Sequence, residues 1–340
     1  MAGGIIDPDL LDTQNTRRTF MARGIIEEAI ASSQLEGAST TRKVAKQMLQ
    51  KNRKPANKSE QMILNNYQAM LHIEDKLRYE DLSLDLLLNL HITLTQGTVD
   101  IKDSGRLRRD IDQVVVSDSS NNVIYHIAPS EKFLKREIKK LIAFANDNNE
   151  KPPSIHPLIK AILLHFWIGY LHPFTDGNGR LARAIFYWYL LKKQYWGFSY
   201  LPLSRVIKRS PAQYRDAYVF SEQDDNDLTY FIDYNIRKIA QAKKEFESYI
   251  KHKQSEYPKI SKKVSMKYKL NERQIQLLRS IRKEADATTT IKTHSIFNGI
   301  SRVTARKDLE ELEQKGFLVS QKLGKERPFS ATDKTLELFS

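Results

Sequence analysis

The segment HPFTDGNGRLAR, residues 172–183, crowds into one short stretch the residue types that handle phosphates and protons. Asp176-Gly177 is a turn signal and NGRLARAIFYWYLL is a strong helical pattern, so the segment is expected to be a loop feeding a helix N-terminus. Unpaired backbone N–H groups and the positive end of the helix dipole converge there and favour an anion. Gly177 and Gly179 carry no Cβ, so an oxyanion can approach the backbone closely around Asn178. Arg180 and Arg183, three residues apart, are expected to share one polyphosphate. Asp176 is one hard oxygen ligand, suited to a Mg²⁺ ion whose remaining ligands are substrate phosphates and water. His172 is the group in the segment that can take up a proton near neutral pH.

Taken singly, each of these residues has a plainer explanation: a helix-ending histidine, a simple turn, surface arginines. Their coincidence points instead to a metal-nucleotide site with a base. His165 and His172 do not make a metal pair, because seven residues separate them by two helical turns and no third ligand is in view.

A second candidate lies far upstream. SSQLEG, residues 32–37, closes a helical pattern, with Gly37 as a good residue just past the helix end. Glu36 faces the negative end of the dipole there, an unfavourable place unless a cation meets it. The residues themselves leave open whether Glu36 is solvated or specifically paired.

These segments need elements to hold them. Apolar residues at helical spacing in IIEEAIASSQLE, SLDLLLNLHITL, HPLIKAILLHFWIGYL and RAIFYWYLLKKQY make most of residues 20–250 a packed helical domain. QVVVSDSSNNVIYHIAP, residues 113–129, breaks the pattern with two β-branched runs around a polar turn, the signature of a β-hairpin. Pro258 and the lysine-rich SKKVSMKYK predict a linker over 251–268. LNERQIQLLRSI, THSIFNGI and SRVTARKDLEELEQKGFLV then read as three helices, and FLVSQKLGKERPFSAT as a two-stranded wing. The expected division is a helical segment at 1–60, a core at 61–250, the linker at 251–268 and a small α+β domain at 269–340.

The formal charge is +14, and most of the excess falls between residues 241 and 340, which favours an anionic partner for that end. There is no cysteine, which excludes disulfides, thiolate catalysis and cysteine metal sites. No apolar run approaches a secretory signal or the roughly 20 residues of a membrane span, so a cytoplasmic location is the expectation.

HPFTDGNGRLAR matches the pattern H-x-F-x-[D/E]-G-N-G-R-x-x-R in full and is identified as a Fic family motif; the resemblance extends to the flanking helices, to SGRLRR and to the hairpin. It departs at Leu107, where relatives often carry an aromatic residue. The resemblance implies a mainly α, Fic-type helical domain with a β-hairpin flap. It also implies a protein adenylyltransferase that transfers AMP from ATP, with Mg²⁺, to a hydroxyl of a target protein or of itself. His172 would be the base, Asp176 the metal ligand, Gly177, Asn178 and Gly179 the phosphate cradle, and Arg180 and Arg183 the β- and γ-phosphate clamp. Phe174 would be a packing residue. SSQLEG resembles the family's inhibitory motif, which implies that Ser32, Glu36 and Gly37 form a switch in which Glu36 pairs with Arg183. The hairpin residues Val114, Val115, Val116, Val123, Ile124 and Tyr125 would form a flap that docks the target by strand addition.

The C-terminal domain resembles a winged helix, with Ser301, Arg302, Thr304, Arg306, Lys307, Lys325 and Arg327 as expected DNA contacts. Such folds also serve as docking or dimerisation modules, so a homodimer is an alternative partner. Two other functions stay open: removal of AMP or transfer of another nucleotide or phosphate group by the same site, and a DNA-binding regulator that senses nucleotide without turnover.

Overall fold

The computed structural model describes residues 14–118, 123–147, 155–282, 288–321 and 327–338. Compact packing divides the chain between Ser248 and Tyr249.

The first unit is helical, as its 3.6-residue periodicity requires. Helix α1 (Gln14–Leu35) packs on α3 (Lys58–Asp75), with α2 (Arg42–Gln50) beside it, and α3 leads to α4 (Leu84–Thr95). Asn57 and Ser83 cap α3 and α4 through side-chain oxygens that accept from Glu60 N and Leu86 N. The hairpin pairs β1 (Val115–Asp118) with β2 (Val123–Ile127), antiparallel, with a register shift between Val116 and Ser117. After α5 (Glu131–Ala145), helices α6 (Pro157–Leu171) and α7 (Asn178–Lys192) form the most extensively packed pair. Their apolar sides carry Ile162, Phe166, Ile185, Phe186 and Trp188 into one core with Leu87 and Leu90 of α4. This pair holds the 172–183 loop between two buried helices. Two short helices follow, α8 (Leu203–Ile207) and α9 (Pro211–Gln223).

Helix α10 runs from Thr229 to Tyr268, so the stretch 251–268 is helical where a linker was expected. A proline inside a helix costs about 3 kcal/mol. The surrounding run of Lys, Glu, Gln and Ser, with no glycine, lets the helix continue through Pro258.

In the second unit α11 (Glu272–Arg282), α12 (Ile291–Asn298) and α13 (Arg302–Gln314) appear where the sequence placed three helices. Gly299, at φ +61°, ends α12. Strands β4 (Leu318–Ser320) and β5 (Phe329–Ala331) pair antiparallel. A third strand, β3 (Thr288–Thr289), adds to the far edge of β5, and a short helix α14 (Asp333–Glu337) closes the unit. Leu278, Leu309, Leu312, Phe317 and Phe329 make its separate core.

Candidate active site

The loop between α6 and α7 is shaped by its own side chains. His172 ends α6 in a left-handed conformation, at φ 45° and ψ 59°, and its Nδ1 lies 2.8 Å from the carbonyl oxygen of Gly169. A carbonyl only accepts, so Nδ1 carries the hydrogen and Nε2 keeps its lone pair. Burial lowers the pKa of His172, so the imidazole is neutral near pH 7. This is the state of a base.

Asn178 was expected to touch phosphates. Its amide is instead used inside the loop: Oδ1 accepts from Phe174 N at 2.9 Å and Nδ2 donates to Phe174 O at 2.8 Å. Phe174 is fully buried and stacks on His91, with ring centroids 3.7 Å apart. His91, on α4, is a site residue that the sequence did not reveal. Its Nδ1 accepts from Gly105 N at 3.0 Å, so its Nε2 donates to the backbone oxygen of Asp176 at 2.9 Å. Burial brings its pKa down to about 4, and the neutral ring pins SGRLRR to the 172–183 loop. A lone histidine on an apolar helix gives no sequence signal for such a role.

Arg108 is a second missed residue. Its guanidinium donates to the carbonyl oxygens of His172 at 2.7 Å, Leu171 at 3.0 Å and Pro129 at 2.5 Å, fastening the end of α6 to the chain that leaves the hairpin. Leu107, beside it, packs against the main core.

Gly177 caps α7 at φ 84° and supplies no side-chain cap, so the first N–H groups of α7 have no side-chain acceptor at this position. Asp176 lies at the rim with its side chain 51% exposed. Its Oδ1 accepts from Gly177 N at 2.5 Å and lies 3.5 Å from Arg180 Nη2. No group of three or more His, Asp or Glu that could hold a metal occurs among the described residues. A single half-exposed carboxylate fits a cation that takes its other ligands from phosphates and water.

The two arginines part company. Arg180 is fully buried, and its Nη1 donates to Leu94 O on α4 at 2.7 Å, so it braces the loop from behind. Arg183 turns to the end of α1: Nε donates to Ser32 Oγ at 2.8 Å, and Nη2 to Ser32 O at 3.0 Å and Glu36 Oε1 at 2.9 Å. Among the described residues its buried Nη1 has no acceptor at hydrogen-bond distance, and Tyr214 stands beside the guanidinium. Burial opposes its charge, but Glu36 more than offsets this and raises its pKa above the ordinary arginine value. The Glu36 carboxylate also lies over Gly179, where a Cβ would collide with it. The negative group therefore sits on the glycine turn at the start of α7. Gly37, at φ 91°, turns the chain away immediately afterwards.

The hairpin lies against this site with mixed exposure. Val115, Val123 and Ile124 are exposed, while Val114 and Val116 are half-buried. Val114 extends the ladder by accepting from Ala128 N at 3.2 Å. Tyr125 is engaged by α9: Arg215 lies 4.7 Å over its ring and donates to its hydroxyl at 3.2 Å.

In the second unit Arg302, Arg306 and Lys307 are exposed on α13, and Ser301 caps the helix by accepting from Thr304 N at 3.1 Å. Arg327 is paired, donating to Glu313 at 2.7 Å and to Ser320 Oγ at 2.7 Å. Lys325 lies outside the described residues.

The model of the Fic/DOC family matches residues 81–190. A protein named Protein adenylyltransferase Fic from Nematostella vectensis is 31% identical over 129 residues, covering 35% of this chain and 27% of that protein. Protein adenylyltransferase fic-1 from Caenorhabditis elegans is 31% identical over 108 residues, covering 32% of this chain and 19% of that protein. The match thus spans about a quarter or less of these relatives. Among solved structures, a Fic family protein from Desulfovibrio desulfuricans G20 shares the fold at a TM-score of 0.58 and 20% identity, covering 94% of this chain and 88% of that one. Residues 134–508 of Fic-1 from C. elegans align at a TM-score of 0.55 and 20% identity, covering 73% of this chain and 71% of that one. The full loop motif, the helical frame that holds it and these likenesses agree, and residues 81–190 of the chain are a Fic/DOC family domain.

Proposed function

We propose that this chain is a protein adenylyltransferase held back by its own N-terminal helix. The observation that carries the reading is the pairing of an imidazole fixed in its neutral form, His172, with the uncapped N-terminus of α7, which begins six residues on at Asn178. A target hydroxyl gives its proton to His172 Nε2 while its oxygen forms a bond to the α-phosphorus of ATP. The bond from that phosphorus to the bridging oxygen breaks, and pyrophosphate leaves with the electron pair. Such a reaction asks the protein for position and charge stabilisation rather than for a nucleophile. The α7 N–H groups and Arg183 receive the phosphates, with Arg180 and Asn178 supporting the loop from inside. Mg²⁺, held by Asp176, would neutralise phosphate charge.

The restraint follows from Glu36. Its carboxylate takes a guanidinium valence and the space above Gly179 that a terminal phosphate needs. Displacing Glu36 returns both to the nucleotide.

Incubating the purified chain and its Glu36→Gly variant with Mg²⁺ and nucleotides labelled in the base or the α-phosphate tests the reading. Covalent transfer of adenine and α-phosphate labels together is expected. Another label transferred alone, or label removed from a modified protein, would reassign the reaction.

A second reading concerns residues 249–340: the exposed Arg302, Arg306 and Lys307 on α13 support duplex DNA binding by that unit. Binding that weakens steeply with salt is expected, and its absence across a broad duplex library would favour a docking or dimerisation role.

A further inference from the structure

His165 is a fully buried polar residue in the apolar helix α6, and no step of the proposed transfer uses its ring. Burial brings its pKa down to about 3, so the ring is neutral. One neighbouring helix holds both its ring and its carbonyl. Tyr214 and Tyr218 lie one turn apart on α9: the Tyr214 hydroxyl stands 2.8 Å from His165 Nε2, and the Tyr218 hydroxyl donates to the His165 carbonyl oxygen at 3.3 Å. Burial raises the Tyr218 pKa well above that of a free phenol, so this hydroxyl keeps its hydrogen.

Tyr218 thereby lies across the last turn of α6. Its ring stacks on Phe166, with centroids 5.3 Å apart, and meets Phe231 at 4.4 Å. Its outer edge presses on Gly169, where a Cβ would stand 2.5 Å from the hydroxyl oxygen and 2.7 and 2.8 Å from two ring carbons. Glycine inside a helix weakens it relative to alanine, so residue 169 needs a reason to be glycine, and Tyr218 supplies it. Gly169 is also the residue whose carbonyl oxygen lies 2.8 Å from His172 Nδ1. The residue four positions on is Pro173, which has no N–H, so this carbonyl is left free to accept from the imidazole. Where the carbonyl points decides which imidazole nitrogen carries the hydrogen and whether Nε2 keeps its lone pair.

We propose that Tyr218 is a positioning residue for the base: packed against Gly169 and bonded to the carbonyl of His165, it fixes the last turn of α6 so that Gly169 O faces His172 Nδ1 and Nε2 stays ready to take a proton. The proposal rests on the adenylyl-transfer reading, which gives Nε2 a hydroxyl proton to accept. Tyr218 acts through Gly169 and not on the nucleotide.

The test uses the full chain labelled with ¹⁵N-histidine, at slightly alkaline pH where the ring is neutral, with the His172 signals assigned through His172→Ala. The wild type should give two well-separated ring nitrogen signals, from a protonated Nδ1 and a bare Nε2. Tyr218→Leu removes the atoms that face Gly169, and Gly169→Ala pushes a methyl group into them. In both variants the two signals should move toward each other as the tautomers mix. In the Glu36→Gly background each should lower kcat at least about tenfold with KM for ATP unchanged, because the base and not the phosphate cradle is misplaced. Combining the two should lower kcat no further than Tyr218→Leu does alone, since both break one contact. Tyr218→Phe keeps the ring against Gly169 and should retain most of the rate. A folded Tyr218→Leu or Gly169→Ala protein with wild-type His172 signals would overturn the proposal, as would losses that multiply in the double variant. Where Tyr218→Leu does not fold, Gly169→Ala, which favours the helix, still decides it. If no background transfers AMP, the adenylyl-transfer reading fails on its own, and the His172 signals still decide whether Tyr218 orients the imidazole.

Discussion

Glu28 and Glu36 stand eight residues apart at the end of one helical segment, and their environments are opposite. Glu28 is buried inside the first unit, where it accepts from Ser204 N at 2.9 Å, from the Ser204 hydroxyl, and from the Tyr187 hydroxyl at 2.9 Å. Its partners are neutral donors in a place that no ligand reaches. Glu36 is 25% exposed and pairs with Arg183 above a glycine turn. A guanidinium beside a helix N-terminus accepts any anion of suitable shape, so in the proposed reading the partner of Glu36 is open to a competitor. The first carboxylate fixes α1, and the second is the one proposed to exchange. What makes the difference is the chemistry of the partner and its access to solvent, since both residues are glutamates on the same chain segment.

Removing the base should give the largest effect near this exchangeable end. His172→Ala is expected to lower transfer by about 10²–10⁴-fold while ATP affinity stays nearly unchanged, because the proton acceptor is lost and the cradle is not. Single-turnover rates together with ATP titrations check both halves.

Glu28→Gln probes the fixed end. The amide removes one acceptor from a full set of donors and should cost about 1–3 kcal/mol of stability. Burial raises the Glu28 pKa above 4.5, so the native chain holds this proton more tightly than the unfolded chain. Its stability contribution is therefore complete below pH 4.5 and declines as pH rises through the raised native value. Thermal melts at pH 4 and pH 7 should show the wild type losing part of its advantage over Glu28→Gln at the higher pH. A gap independent of pH would contradict the assignment. The smallest effect is expected at Arg327→Ala, whose half-exposed pairing with Glu313 contributes about 0–1 kcal/mol.

The comparison also marks what the sequence could disclose. HPFTDGNGRLAR was legible because its residue types suit no apolar helix, and SSQLEG because a glutamate at a helix end needs a reason. The residues that hold the site were harder to see. His91 reads as one polar residue in LDLLLNLHITLT, and its role depends on Gly105 and Asp176 meeting it from distant parts of the chain. His126 lay within the expected hairpin, but its partner Glu222 is 96 residues away, beyond any local pattern. Arg180 was placed with Arg183 by helical spacing, yet it turns to α4, where the Leu94 carbonyl near the end of that helix accepts from it as well as from Asn65. The expected linker became helix because one proline did not outweigh the helix formers around it.

The exchangeable carboxylate is tested most directly by the initial rate of self-adenylylation in Glu36→Gly relative to the wild type, at saturating ATP and Mg²⁺. The expected result is a rate at least about tenfold higher with the melting temperature nearly unchanged, since the released guanidinium is worth roughly a charge-assisted hydrogen bond to phosphate. A Glu36→Gly protein that is folded, binds ATP and is no faster than the wild type would contradict the account.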